Sequence, residues 1–183
     1  MKPVCIREVA RQMYPDFKVP GKIVSFIAFV QEKEIEFVLK TALTDLSPGV
    51  IQGVLCGQDL GEMTKHAVSE GTKAICKFRG FEGERSGKGW RSRAARLTVP
   101  TILIGRMTKN DLSDEALVYF TGVIEYFTAE ILETYIREHR SCTVGRSDVI
   151  GIMAKVIGKD RELQKLLLQI TDLSLQEIFN QFE

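Results

Sequence analysis

Histidine, tryptophan and cysteine are all scarce in this sequence, at two, one and four residues among 183. The cysteines, Cys5, Cys56, Cys76 and Cys142, are scattered without CxxC spacing, and neither His66 nor His139 lies at ligand distance in sequence from them. That argues against a zinc site and reads as reduced, partly buried thiols of a cytosolic or nuclear protein. No cofactor or metal is expected. No apolar run is long enough to span a bilayer, so no membrane partner is expected. The N-terminal apolar residues are broken by Arg7, Glu8 and Arg11, which is not a signal-peptide pattern, and the protein is expected to be intracellular rather than secreted. An excess of one charge is also missing, with 25 basic against 24 acidic side chains and a formal net charge of +1. For binding a polyanion, distribution matters more than the total. Residues 1–80 carry 11 basic and 9 acidic side chains, residues 81–99 carry 5 and 2, and residues 100–183 carry 9 and 13. Long lysine-rich tails are absent.

What is present is a helical pattern. Hydrophobic residues make up 44% of the chain, enough for a globular core. Pro3 suits a helix start, and a short helix is predicted to about Met13, ended by Tyr14-Pro15-Asp16. From Lys22, the residues Ile23, Ile27, Val30, Val38 and Ala42 lie near one helical face, but Gln31 to Glu36 is a polar interruption that argues against one straight helix. Ser47-Pro48 opens a short helix through Val54, with Ser47 as N-cap. The segment Glu62 to Phe78 presents Met63, Ala67, Ala74, Ile75 and Phe78 on one face. Arg79 to Trp90, with four glycines among charged neighbours, reads as a linker that Trp90 packs down. Apolar Val99 to Lys109 follows. Then comes the clearest helix, with Leu117, Phe120, Ile124, Phe127, Ile131 and Tyr135 recurring at steps of three or four. That stripe runs about five turns or more and needs a partner along its length. A turn near Ser141 to Ser147, a short helix from Asp148 and another over Asp160 to Leu168 complete the pattern.

Two blocks in this pattern resemble a known family. GEMTKHAVSEGTKAICKF at Gly61 to Phe78 resembles the C-terminal helix of a type-2B core histone, and VYFTGVIEYFTAEILE at Val118 to Glu133 resembles the long central helix of a type-2A core histone. Tyr14-Pro15-Asp16, Ile51-Gln52 and DRELQKLL at Asp160 to Leu167 are supporting matches. The resemblance implies an all-α chain of two tandem histone folds clasped as an intramolecular pseudo-heterodimer. A type-2B-like unit would span residues 1–79, a linker 80–91, and a type-2A-like unit with a short docking segment 92–183. Fused doublets of this order are encoded by large DNA viruses, and this chain resembles a tail-less form of them. The resemblance implies a place in a virion, a viral factory or a host nucleus. Fusion makes pairing of the halves intramolecular, at an effective concentration on the order of millimolar. The chain departs from the family in several places. The first long helix reads about two turns short, Thr44-Asp45-Leu46 and Ser113-Asp114-Glu115 replace basic loops, and the segment after Leu168 is only loosely similar.

By this resemblance double-stranded DNA is one partner, met by helix N-termini, backbone N–H groups and arginines at loop ends. Lys18 and Lys22 would join Arg140, Ser141, Thr143 and Arg146 at one end, Arg7, Arg11, Arg106 and Lys109 would form the middle, and Arg91, Arg93 and Arg96 would follow the backbone before the second unit. The other end, with Asp45, Asp111, Asp114 and Glu115, reads as unfavourable near phosphate, giving a lopsided grip. A type-4/type-3 histone doublet or tetramer would be the second partner. Glu62, Glu70, Glu125, Glu130, Glu133, Asp160 and Glu162 map to the acidic patch that receives an arginine from chaperones or other proteins, although Arg161 stands where another acid is expected. A lone Lys or Arg is as often an ordinary solvated charge. No enzyme is expected. GERSGKG at Gly83 to Gly89 has the wrong spacing for a phosphate-binding loop and follows a helix, and neither histidine has a Ser or Cys partner. The expected function is DNA packaging in nucleosome-like particles. The alternative is a histone-fold interaction module with weak DNA wrapping.

Overall fold

A computed structural model describes residues 3–42, 46–108, 112–141 and 149–182, with backbone alone for residues 3, 4 and 141. Among the described residues the regular structure is all α-helix: α1 Pro3–Met13, α2 Gly21–Ala42, α3 Pro48–Gln58, α4 Glu62–Arg79, α5 Trp90–Ala95, α6 Thr101–Thr108, α7 Asp114–Ser141, α8 Val149–Lys159, α9 Arg161–Ile170 and α10 Leu175–Asn180. None of these helices is long and apolar enough to cross a membrane.

The two longest helices organise the rest. The 28-residue α7 touches α1, α2, α3, α4, α5, α6 and α8. The 22-residue α2 touches α1, α3, α6, α7, α8 and α9. Each long helix is thus covered partly by helices from the other half of the chain. The predicted stripe on α7, Leu117 to Tyr135, is buried throughout. The stripe understates the burial, because Ala116, Val118, Tyr119, Val123, Leu132 and Ile136 are buried as well. A helix enclosed on several sides has little use for a polar face. Two of its threonines are accommodated by bonding backward, Thr121 Oγ1 to the Leu117 carbonyl and Thr128 Oγ1 to the Ile124 carbonyl, each at 2.7 Å.

The closest approach of the two halves is the crossing of α4 on α7. A Cβ built on Gly71 would lie 2.7 Å from the Tyr119 ring, and one on Gly122 would lie 3.1 Å from the Ala74 side chain and 3.3 Å from the α4 backbone. Small residues here let two helix backbones come together where larger ones would hold them apart.

The polar stretch Gln31–Glu36 does not interrupt α2, which runs unbroken through it. The physical reason is that the polar residues have buried partners. Gln31 Nε2 donates to Thr128 Oγ1 on α7, and Gln58 Nε2 on α3 donates to both Glu34 carboxylate oxygens at 3.0 and 3.2 Å. Glu34 is 1% exposed, and burial pushes its carboxyl up to about 7 although the Gln58 bond pulls the other way. Ser47 caps α3 as expected, its Oγ accepting from Val50 N at 3.4 Å, but the helix continues past Val54 to Gln58. The predicted linker is exposed from Glu82 to Lys88, and α5 forms at its end, a helix that the glycine-rich reading passed over. The chain end folds back as α10, closed by a full capping box between Ser174 and Glu177. Its Phe179 stacks on Phe26 of α2 at 6.5 Å, and Phe182 meets Phe26 and Phe29 edge-on at 5.5 and 5.7 Å.

Candidate nucleic-acid interface and acidic face

The connection between α1 and α2 lies against the last turns of α7. Phe17 meets Tyr135 at 6.4 Å and His139 at 5.3 Å, both edge-on, and the Arg140 guanidinium sits 5.0 Å over the Tyr14 ring. The juxtaposition of the first loop with Arg140, drawn from sequence, is therefore present in the fold. Beside it, Arg7, Arg11, Pro15, Phe17, Lys18 and Val19 line one surface cavity of about 390 Å³. Three cations thus share one concave surface with Pro15, Phe17 and Val19. Glu8 lies 3.7 Å from Arg11, in an exposed pair of little energetic weight. Arg7 and Arg11, expected from sequence in a middle group, share this cavity with Lys18. Lys22 is exposed at the head of α2, and Arg106 is exposed on α6 without lining that cavity. Lys109, Thr143 and Arg146, named from sequence, lie outside the described residues, as do Asp45, Asp111 and Cys142.

The arginines around the linker are committed elsewhere. Arg91 Nε bonds Asp114 Oδ1 at 2.5 Å. Arg93 donates to the carbonyls of Lys88 at 2.7 Å and Ser86 at 3.4 Å, folding the linker back on itself. Arg96 is exposed, in the left-handed backbone region at φ 55°, and lines a cavity of about 240 Å³ with Glu70, Lys77 and Glu125. Arg79, which the sequence did not single out, reaches Glu115 with both Nε and Nη2 at 2.7 Å. This fork holds the Glu115 carboxyl below its ordinary value. Of the acids expected to be unfavourable near phosphate at this end, Asp114 and Glu115 each have an arginine. The signal was out of reach in sequence because the partners lie 23 and 36 residues away.

The carboxylates of the expected acidic face are not equivalent. Glu162 accepts from the backbone N–H of Glu62 at 2.9 Å and of Met63 at 3.0 Å, joining the starts of α9 and α4. Gly61 is needed beside it, since a Cβ there would fall 2.2 Å from Glu162 Oε1 and the residue sits at φ 60°. Asp160 caps α9, accepting from Leu163 N at 3.0 Å. Glu62 pairs with Lys65 and Glu70 with Lys73, each at 2.7 Å. Glu125 is largely buried and accepts from Val99 N at 2.7 Å; burial raises its pKa against the pull of these hydrogen bonds. Glu130 accepts from the Tyr126 hydroxyl at 3.1 Å. Glu133 is exposed, with no recorded partner among the described residues. The fold therefore brings Glu62 and Glu162 together while giving most of the set a local structural task. Replacing Asp160 with alanine is expected to lower stability by about 1 kcal/mol through loss of the cap. Glu133→Ala should change it by less than about 0.5 kcal/mol. Urea denaturation of both variants separates structural from surface carboxylates.

His66 tilts against Tyr126 at 6.2 Å and His139 against Tyr135 at 5.8 Å, so both work as packing rings. Among the described residues no group of three or more His, Cys, Asp or Glu is placed to hold a metal. Cys5 is buried, while Cys56 and Cys76 are exposed free thiols. No protein-family model matches the chain.

Proposed function

We propose that this chain is a fused core-histone doublet, type-2B-like over 1–79 and type-2A-like over 92–183, that packages double-stranded DNA together with a type-4/type-3 histone partner. The observation that carries the reading is the basic cavity of Arg7, Arg11 and Lys18 set beside Arg140. It combines residues of α1 and the first loop with the far end of α7, where a head-to-tail histone pair would meet phosphate. The mutual covering of α2 and α7 by helices of opposite halves supports the paired-fold part of the reading. Contact would be to backbone and groove width, without base readout.

The test is nuclease protection after assembly with a type-4/type-3 partner on DNA. A discrete protected fragment is expected. Arg7→Ala, Arg11→Ala and Lys18→Ala together should flatten the slope of log affinity against log salt by about 2.7, at roughly 0.9 per lost phosphate contact. A well-folded chain that gives no protection would overturn the packaging reading. It would promote the second reading, an interaction module with weak DNA wrapping, which the internal pairing of Arg79 and Arg91 favours.

A further inference from the structure

We infer that Arg79 and Arg91 form a second, latent phosphate-binding site, occupied in the free protein by its own Glu115 and Asp114. The inference rests on the DNA-packaging reading and extends it to regulation of the opposite end. Arg79 closes α4 and Arg91 lies in the first turn of α5, twelve positions apart in sequence, yet they grip consecutive residues of α7. What sets them side by side is the linker's aromatic closure. Trp90 lies 5.4 Å from Phe78, the Arg91 guanidinium lies 5.1 Å over Trp90, and Arg85 lies 5.8 Å over Phe78. Arg85 also donates to the carbonyls of Arg79 and Phe81 at 3.4 and 3.3 Å, so the strap is held by rings and backbone as well as by charge.

The two acids mimic phosphate in their chemistry. Glu115 receives a two-point fork from Arg79, the geometry a guanidinium uses on a phosphate's paired oxygens. Both pairs are open to solvent, with side chains 65% and 38% exposed for Arg79–Glu115 and 38% and 41% for Arg91–Asp114. Exposed pairs of this kind contribute little to stability and are screened by salt, so a competing anion can replace them. Duplex DNA competes with an advantage that a carboxylate lacks, because each neutralised phosphate releases condensed counterions. The opposing term is that both acids stay nearby after exchange and repel the incoming backbone. With the acids present, this end adds little to affinity. With them neutralised, it adds up to two phosphate contacts.

The experiment compares binding of a short duplex DNA across a salt series. Asp114→Asn with Glu115→Gln is expected to steepen the salt slope by about 1.8 and to tighten binding roughly tenfold at low salt. Glu32→Gln with Asp172→Asn removes the same charge from two exposed carboxylates elsewhere and should not reproduce the gain. Adding Arg79→Gln and Arg91→Gln to the first pair should abolish it. Thermal melts of each variant confirm folding. A gain equal in the control pair, or one surviving loss of both arginines, would overturn the latent site. If the unaltered protein binds DNA through Arg7, Arg11 and Lys18 and the first pair changes nothing, the latent site fails while the packaging reading stands. If no variant binds DNA, both fail.

Discussion

Glu34→Gln is expected to stabilise the protein by up to about 3 kcal/mol at pH 8 and to leave it nearly unchanged at pH 4. Glu34 lies in the core and accepts from Gln58, and burial, which disfavours the charged form, pushes its carboxyl up to about 7. The ordinary value of 4.5 applies once the chain unfolds. Between about 4.5 and 7 the native state holds the proton more tightly than the unfolded state, so stability falls as pH rises through that window. Below the window the full contribution is present. Above it the loss is complete, about 3 kcal/mol for a displacement of this size. A glutamine keeps the shape and a hydrogen-bonding oxygen but has no charge to bury. Urea denaturation of both proteins at the two pH values measures it. A stability difference that stays constant with pH would show that Glu34 is solvated or ion-paired in solution.

Gly71→Val is expected to lower stability by about 3 kcal/mol, near the upper range for overpacked cores. Its Cβ would lie 2.7, 2.9 and 3.0 Å from three atoms of the Tyr119 ring. Tyr119 is 2% exposed, held within the core. The helix-propensity gain from replacing glycine, at most about 1 kcal/mol, does not offset the clash. Because the crossing of α4 on α7 joins the two halves of the chain, relief by separation would uncover both helices. Shortening the obstacle with Tyr119→Leu in the same chain should recover part of the loss. A Gly71→Val protein as stable as the parent would mean that the crossing is looser than its geometry indicates.

Legibility in sequence followed the range of each interaction. The course of α7 was readable because Leu117 to Tyr135 repeats at the helical period, which is local information. The exposed stretch from Glu82 to Lys88 follows from its glycines and charges, and Ser47 announced its helix through capping chemistry. What failed was long-range. Gln31 reads as a surface residue until Thr128, 97 positions away, is beside it, and Glu34 looks solvated until Gln58 is placed. The candidate site divides the same way. The approach of the first loop to the end of α7, seen in Arg140 over Tyr14, is the part that helix order carries. The quenching of Asp114 and Glu115, and the structural duties of Asp160 and Glu162, depend on side-chain partners that periodicity does not carry.

The positions of α1 and α10 have a mechanical consequence. Helix α1 lies against both α2 and α7, and Phe179 of α10 lies on Phe26 of α2. Helices α1 and α10 thus each reach across to the other half as well as packing on their own, and the two halves interlock. Tension applied to the two ends loads both long helices at once. Peeling away α1 uncovers parts of both α2 and α7, and peeling away α10 uncovers Phe26 of α2.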